Sequence, residues 1–225
     1  MWHRAVLLEP IRFRTADGLT LAGEIRRPDG DPRGTAVLCH PLPSHGGSKD
    51  HPLLWAIRND LAGHRGLVVL GFDFRGVMSS EGTFGHGRDE ALDVATAVDT
   101  VLEAGPPPTL LVGWSFGALM ALRHALGDPR VGALALIGFP LGEPRLRLPP
   151  PPERAELRGL DIPVLLVSGE ADQFSPAPEV RTMARRLPQA RAEIVPDTGH
   201  FFERLERMVA ELVGAFAGEV VARTG

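Results

Sequence analysis

The sequence predicts an α/β fold: a mostly parallel sheet of about eight strands flanked by helices, in one domain spanning residues 1–225. Three observations predict it. Short uninterrupted apolar runs recur, among them Thr35 to Cys39, Leu67 to Phe74 and Val131 to Ile137. A strand covered on both faces needs apolar side chains pointing both ways, so it reads as such a run. Between the runs lie stretches with apolar residues at helical spacing, and this alternation implies right-handed crossovers. The composition, 44% hydrophobic and 23% charged, supplies a sizeable core and a solvated surface.

Taken in order, Ile11 to Thr15 and Leu19 to Arg26 flank Ala16-Asp17-Gly18, a turn signal that makes them an antiparallel pair at the sheet edge. Thr35 to Cys39 is the first buried strand and ends in a loop rich in Gly, Pro and His, from His40 to His51. Pro52 to Gly63 follows as a helix and Leu67 to Phe74 as a strand. Asp89 to Leu102 places Ala91, Leu92, Val94, Ala95, Val98, Val101 and Leu102 on one helical stripe, stopped by Gly105 and three prolines. Leu110 to Val112 opens the next strand, and its helix ends near Gly127-Asp128-Pro129. After the Val131 to Ile137 strand, residues 141–152 are dominated by Pro and Arg, and Pro149 to Pro152 can be neither helix interior nor central strand. This connection is too short for a large lid. Pro163 to Ser168 and Arg191 to Val195 are the last strands; Pro178 to Leu187 and Phe202 to Phe216 are the last helices.

The formal net charge of −4 offers no basic field for nucleic acid or an anionic membrane. No apolar run has the length of a membrane span, and Met1 to Glu9 has no apolar core of a leader. The single cysteine, Cys39, excludes an internal disulfide and suits a reducing compartment, so a cytoplasmic protein is expected. His40, His45, Asp50 and His51 match no metal-ligand spacing, and no metal or cofactor is expected. The final helix or the sheet edge could support a homodimer.

The chemistry centres on Gly113-Trp114-Ser115-Phe116-Gly117, set between a strand pattern and a helix pattern. An abrupt strand-to-helix turn strains the serine backbone and lifts its oxygen clear of the sheet, while bulk two residues to either side would collide with the turn. The helix starting there aims free N–H groups at the same spot. Ser115 is therefore read as a nucleophile, which needs a base, itself oriented by an acid. In a parallel sheet such residues lie on loops at the carboxyl ends of strands. His200, in the loop after the last strand, is the base; His40 and His45 are its strand-end competitors. Asp172, in the loop after the Pro163 to Ser168 strand, is the acid, with Glu170 and Asp197 as rivals. The oxyanion hole should combine the N–H of Phe116 with one from the His40-Pro41-Leu42 turn; Pro41 has none, which leaves Leu42.

With these residues placed, the chain resembles the α/β-hydrolase superfamily over nearly its full length, and within it the small bacterial serine hydrolases related to dienelactone hydrolases and prolyl-oligopeptidase-type domains. The matching pieces are His40-Pro41 with Gly46-Gly47, Phe72-Asp73-Phe74-Arg75-Gly76, the Ser115 pentapeptide, Gly169-Glu170-Ala171-Asp172 and Gly199-His200-Phe201-Phe202. The order Ser115, Asp172, His200 is that of the superfamily. Dienelactone hydrolases use cysteine where this chain has Ser115, and dehalogenases of this fold use aspartate. The resemblance implies an esterase-type hydrolase acting on a small-molecule ester or related acyl substrate, and it assigns Asp73 and Arg75 to a structural turn. Pocket walls are expected from Leu42, Met78, Trp114, Phe139 and Phe174. Thioesterase, peptidase, acyltransferase and non-catalytic binding readings share the fold.

Overall fold

The computed structural model describes residues 8–141 and 148–224. Residues 1–7, residues 142–147 of the Pro/Arg connection and residue 225 lie outside the described residues, so the expectation made for the N-terminal stretch falls outside them too. The chain forms one eight-stranded sheet in the order β1-β2-β4-β3-β5-β6-β7-β8. The strands are β1 (Leu8–Arg14), β2 (Thr20–Arg26), β3 (Gly34–Cys39), β4 (Leu67–Phe72), β5 (Thr109–Trp114), β6 (Val131–Ile137), β7 (Val164–Gly169) and β8 (Ala190–Val195). The first two form the expected antiparallel hairpin, β2 runs antiparallel to β4, and all other pairs are parallel. Pro10 sits in β1 without harm, because that edge strand pairs on one side only.

Among the described residues six α-helices flank the sheet: α1 (Pro52–Arg65), α2 (Glu90–Ala104), α3 (Phe116–Ala125), α4 (Arg154–Leu157), α5 (Ala177–Ala184) and α6 (Glu206–Thr224). The central strands β3 to β7 are buried on both faces, so alternate residues feed two cores. Val37 and Cys39 pack with Val94, Val98, Leu119 and Val180 under α2, α3 and α5. Ala36 and Leu38 pack with Leu53, Ile57, Val213 and Phe216 under α1 and α6. Among the described residues no helix is long and apolar enough to cross a membrane.

Two helices depart from the sequence reading. The last begins at Glu206 rather than Phe202, because Phe202 and Arg204 hold positive φ of 51° and 65° and cannot continue a helix. The single-turn α4 was not expected in the proline-rich connection; a reciprocal capping box between Glu153 and Glu156 closes it.

The sheet order also positions a site. From β3 the chain moves outward to β4, then returns to place β5 on the other side of β3 and proceeds the opposite way. Loops leaving the carboxyl ends of β3 and β5 diverge there, opening a crevice at the reversal of strand order. Leu42 and Ser115 lie on those two loops.

Candidate active site

Ser115 joins the last residue of β5 to the first of α3, with φ 54° and ψ −117°. This backbone is rare for a residue with a side chain, and the surroundings impose it. Its N–H donates to the Ile137 carbonyl at 2.8 Å, and its carbonyl accepts from Ala118 and Leu119 at 2.9 and 3.2 Å. The flanking glycines are steric requirements. A Cβ at Gly113 would lie 2.5 Å from the Ala118 Cα, and one at Gly117 would strike the carbonyl oxygens of Cys39 and His40. Helix α3 can therefore sit directly on the end of β3.

Asp172 and His200 come from the loops after β7 and β8. His200 Nδ1 lies 2.8 Å from Asp172 Oδ2, and both side chains are buried. The other carboxylate oxygen, Oδ1, accepts the N–H groups of Phe174 and Ser175 at 2.9 and 3.0 Å. With an ionised Asp172 accepting at every contact, Nδ1 of His200 carries the proton and Nε2 of the neutral ring keeps its lone pair. The residue is held at two further points, one on its backbone and one on its ring. Trp114 Nε1–H donates to the His200 carbonyl at 3.2 Å. Gly138, with φ 53°, lets the β6 loop come so close that a Cβ there would be 2.9 Å from His200 Cε1. The rivals of Asp172 face elsewhere: Glu170 and Asp197 are exposed, and Glu170 Oε2 accepts the Asp197 N–H at 3.3 Å.

The Leu42 loop is equally fixed. The Leu42 carbonyl accepts from His45 and Gly47, both at 3.1 Å, across a 3-10 turn over Pro43–His45. The N–H groups of Leu42 and Phe116 donate to no acceptor among the described residues. His40 is not a free base. It is fully buried, accepts the Phe74 N–H on Nε2 at 3.0 Å and so donates from Nδ1 to the Pro41 carbonyl at 2.7 Å.

Ser115 and His200 open onto one cleft that also contains Leu42, Trp114 and Phe174. Met78 and Phe139 are not among its walls. Met78 is 77% exposed and lines a separate groove with Ile11 and Lys49, because the turn after β4 directs it away. Phe139 is 1% exposed and belongs to the core under α3. Sequence reasoning missed Pro41, His45, Gly46, Gly47, His51 and Phe201, which complete the lining. A signal for His51 was present: Pro52 marks the first turn of α1, so His51 is its N-cap, and helix N-termini in such folds face the carboxyl ends of strands. Among the described residues no group of three or more His, Cys, Asp or Glu is arranged to hold a metal ion.

The comparisons with known proteins agree with this fold. The family model described as Alpha/beta hydrolase domain matches residues 34–217. An uncharacterized protein of Rickettsia prowazekii is 26% identical over 175 residues, covering 74% of this chain and 71% of that protein. An α/β serine hydrolase without lid from Xanthomonas campestris is 26% identical, with a TM-score of 0.76 and coverage of 99% of this chain and 97% of the other. An esterase of Pyrococcus furiosus shares the fold at 20% identity, with a TM-score of 0.79 and coverage of 97% and 91%. The chain belongs to the alpha/beta hydrolase domain family.

Proposed function

We propose that the protein is a serine hydrolase that cleaves small to medium carboxylic esters through an acyl-enzyme. The observation that carries this reading is the Asp172–His200 hydrogen bond of 2.8 Å, in the same cleft as a serine held at φ 54°. Ser115 Oγ attacks the ester carbonyl while His200 Nε2 takes its proton. Asp172 holds the tautomer that leaves Nε2 free and stabilises the imidazolium. The N–H groups of Phe116 and Leu42 receive the developing oxyanion; the first also lies at the N-terminus of α3, where the helix dipole favours negative charge. His200 then protonates the leaving alcohol and activates the water that clears the acyl group. The esterase among the structural relatives and the lidless serine hydrolase support an open ester site.

The test is turnover of a p-nitrophenyl ester series from acetate to palmitate, alongside labelling by a fluorophosphonate. Wild type is expected to hydrolyse the shorter esters and to be labelled at Ser115. Ser115→Ala should lose the label and roughly 10^4-fold or more in kcat. Asp172→Asn should fall by a comparable factor through the wrong tautomer, whereas Asp197→Asn stays near wild type. Hydrolysis that survives Ser115→Ala overturns the assignment. Labelling without turnover on any ester would move the substrate to thioesters or amides.

A further inference from the structure

The cleft has a composition that the hydrolytic step does not explain. None of its lining side chains is Asp, Glu, Lys or Arg. A charged substrate group would lose its hydration there without gaining a partner, so the bound molecule is uncharged near the reacting bond. The walls are largely aromatic, and the rings hold one another. The Phe174 and Phe201 rings lie 4.9 and 5.5 Å from the His200 ring, and Phe201 stands at 89° to Trp114 at 6.3 Å. Edges and faces are thus both presented, the arrangement in which a further aromatic ring packs best.

Besides Ser115 and His200, two polar side chains break the apolar wall: His45, which is exposed and lies 3.1 Å from the Ser44 hydroxyl through Nδ1, and the half-buried His51. The His51 ring packs edge-to-face on Trp114 at 4.3 Å. As the N-cap of α1 it accepts the Leu53 N–H on Nδ1, at 3.2 Å. That bond fixes the tautomer: Nδ1 is bare and Nε2 carries the proton in the neutral ring. Partial burial lowers its pKa from the ordinary histidine value, with Glu206 opposing the shift, which favours the neutral form near pH 7. Nε2–H has no acceptor among the described residues. A rigid donor of known tautomer on an apolar wall selects ligands, because a molecule lacking the acceptor leaves the donor dry and unpaired.

We propose that this cleft takes uncharged aromatic esters bearing an oxygen substituent, and that His51 Nε2–H is the specificity-determining donor to that oxygen. The proposal rests on the ester-hydrolase reading of Ser115, Asp172 and His200. It commits His51 to binding; the ring takes no proton in the reaction.

The experiment uses Ser115→Ala protein, in which binding is read without turnover, and isothermal titration calorimetry at pH 7.5. The ligands are phenyl acetate, 4-methoxyphenyl acetate, methyl benzoate, methyl 4-methoxybenzoate and an alkyl ester of matched carbon number. The aromatic esters are expected to bind several-fold tighter than the alkyl ester. In the half of the ester that faces His51, the methoxy compound should bind roughly five- to tenfold tighter than its parent. Adding His51→Phe, which keeps a ring against Trp114, should shrink that methoxy advantage to under about twofold. His51→Asn, which retains an N-cap acceptor for α1, should do the same, so a folding defect in the phenylalanine variant does not decide the result. Equal affinity for alkyl and aromatic esters, or a methoxy advantage that survives both substitutions, overturns the proposal. Consumption of the esters by Ser115→Ala protein would instead overturn the nucleophile assignment, an outcome visible in the same cell as released acid.

Discussion

His40 serves the site by holding still. Its ring accepts an N–H from the turn after β4 and donates to the next carbonyl of its own loop, so a second proton would set N–H against N–H. The partner that fixes it, Phe74, is 34 residues away, which is why the sequence leaves His40 and His200 as competitors for the same role. Burial pushes the His40 pKa down from 6.5 to about 4. Between those values the unfolded chain binds a proton that the folded one refuses. The stabilisation is therefore complete above about pH 6.5 and is lost as the pH falls towards 4, and for this fully buried ring it amounts to at most about 3 kcal/mol. Urea unfolding of wild type and His40→Gln should show a stability gap that is widest near pH 7.5 and narrows by up to that amount at pH 4.5. A gap independent of pH would mean that the ring is not held neutral.

At the scale of an element, α6 shows what pattern reveals and what it hides. Its apolar positions Val209, Val213, Phe216 and Val220 are buried at helical spacing, so its existence is legible in the sequence. Its start is hidden, because nothing local announces the left-handed turns at Phe202 and Arg204. Its two inner glycines are also indistinguishable by sequence. In an exposed helix interior, Gly to Ala gains about 1 kcal/mol. At Gly218 a new Cβ meets nothing within 4 Å. At Gly214 it would overlap the Asp60 carboxylate of α1, which cannot swing aside freely because it binds His64 and Arg65 at 2.8 and 3.1 Å. Thermal unfolding should therefore place Gly218→Ala above wild type by about 1 kcal/mol and Gly214→Ala below it by roughly 1–3 kcal/mol. A stabilising Gly214→Ala would mean that α1 and α6 are not in close contact at that point.

Across the whole molecule, the alternation of apolar runs and helical stripes revealed a mostly parallel sheet, and the rule for strand ends placed Ser115, Asp172 and His200 on loops that the fold brings together. The walls of the cleft were less legible, because Met78 and Phe139 read as apolar loop residues without any sign of which way each loop turns. The same long-range ties join the edge hairpin to the site. Asp73 accepts the Lys49 N–H of the Leu42 loop at 2.9 Å, and its own N–H donates to Ala22 of β2. Arg75, two residues on, bonds Asp93 of α2 at 2.7 Å and Asp17 of the hairpin turn at 2.9 Å. One guanidinium thus joins three distant segments, and the two carboxylates are unequal. The Asp93 side chain is 0% exposed and that of Arg75 5%, whereas Asp17 is 38% exposed. Removing a buried partner strands a charge that water cannot reach, while removing an exposed one lets solvent take its place. Asp93→Ala should accordingly cost about 3–5 kcal/mol in urea unfolding, and Asp17→Ala only a small fraction of that. A larger loss in Asp17→Ala than in Asp93→Ala would show that the hairpin turn, rather than α2, anchors Arg75. The turn carrying Asp73 and Phe74 would then take its position from the sheet edge.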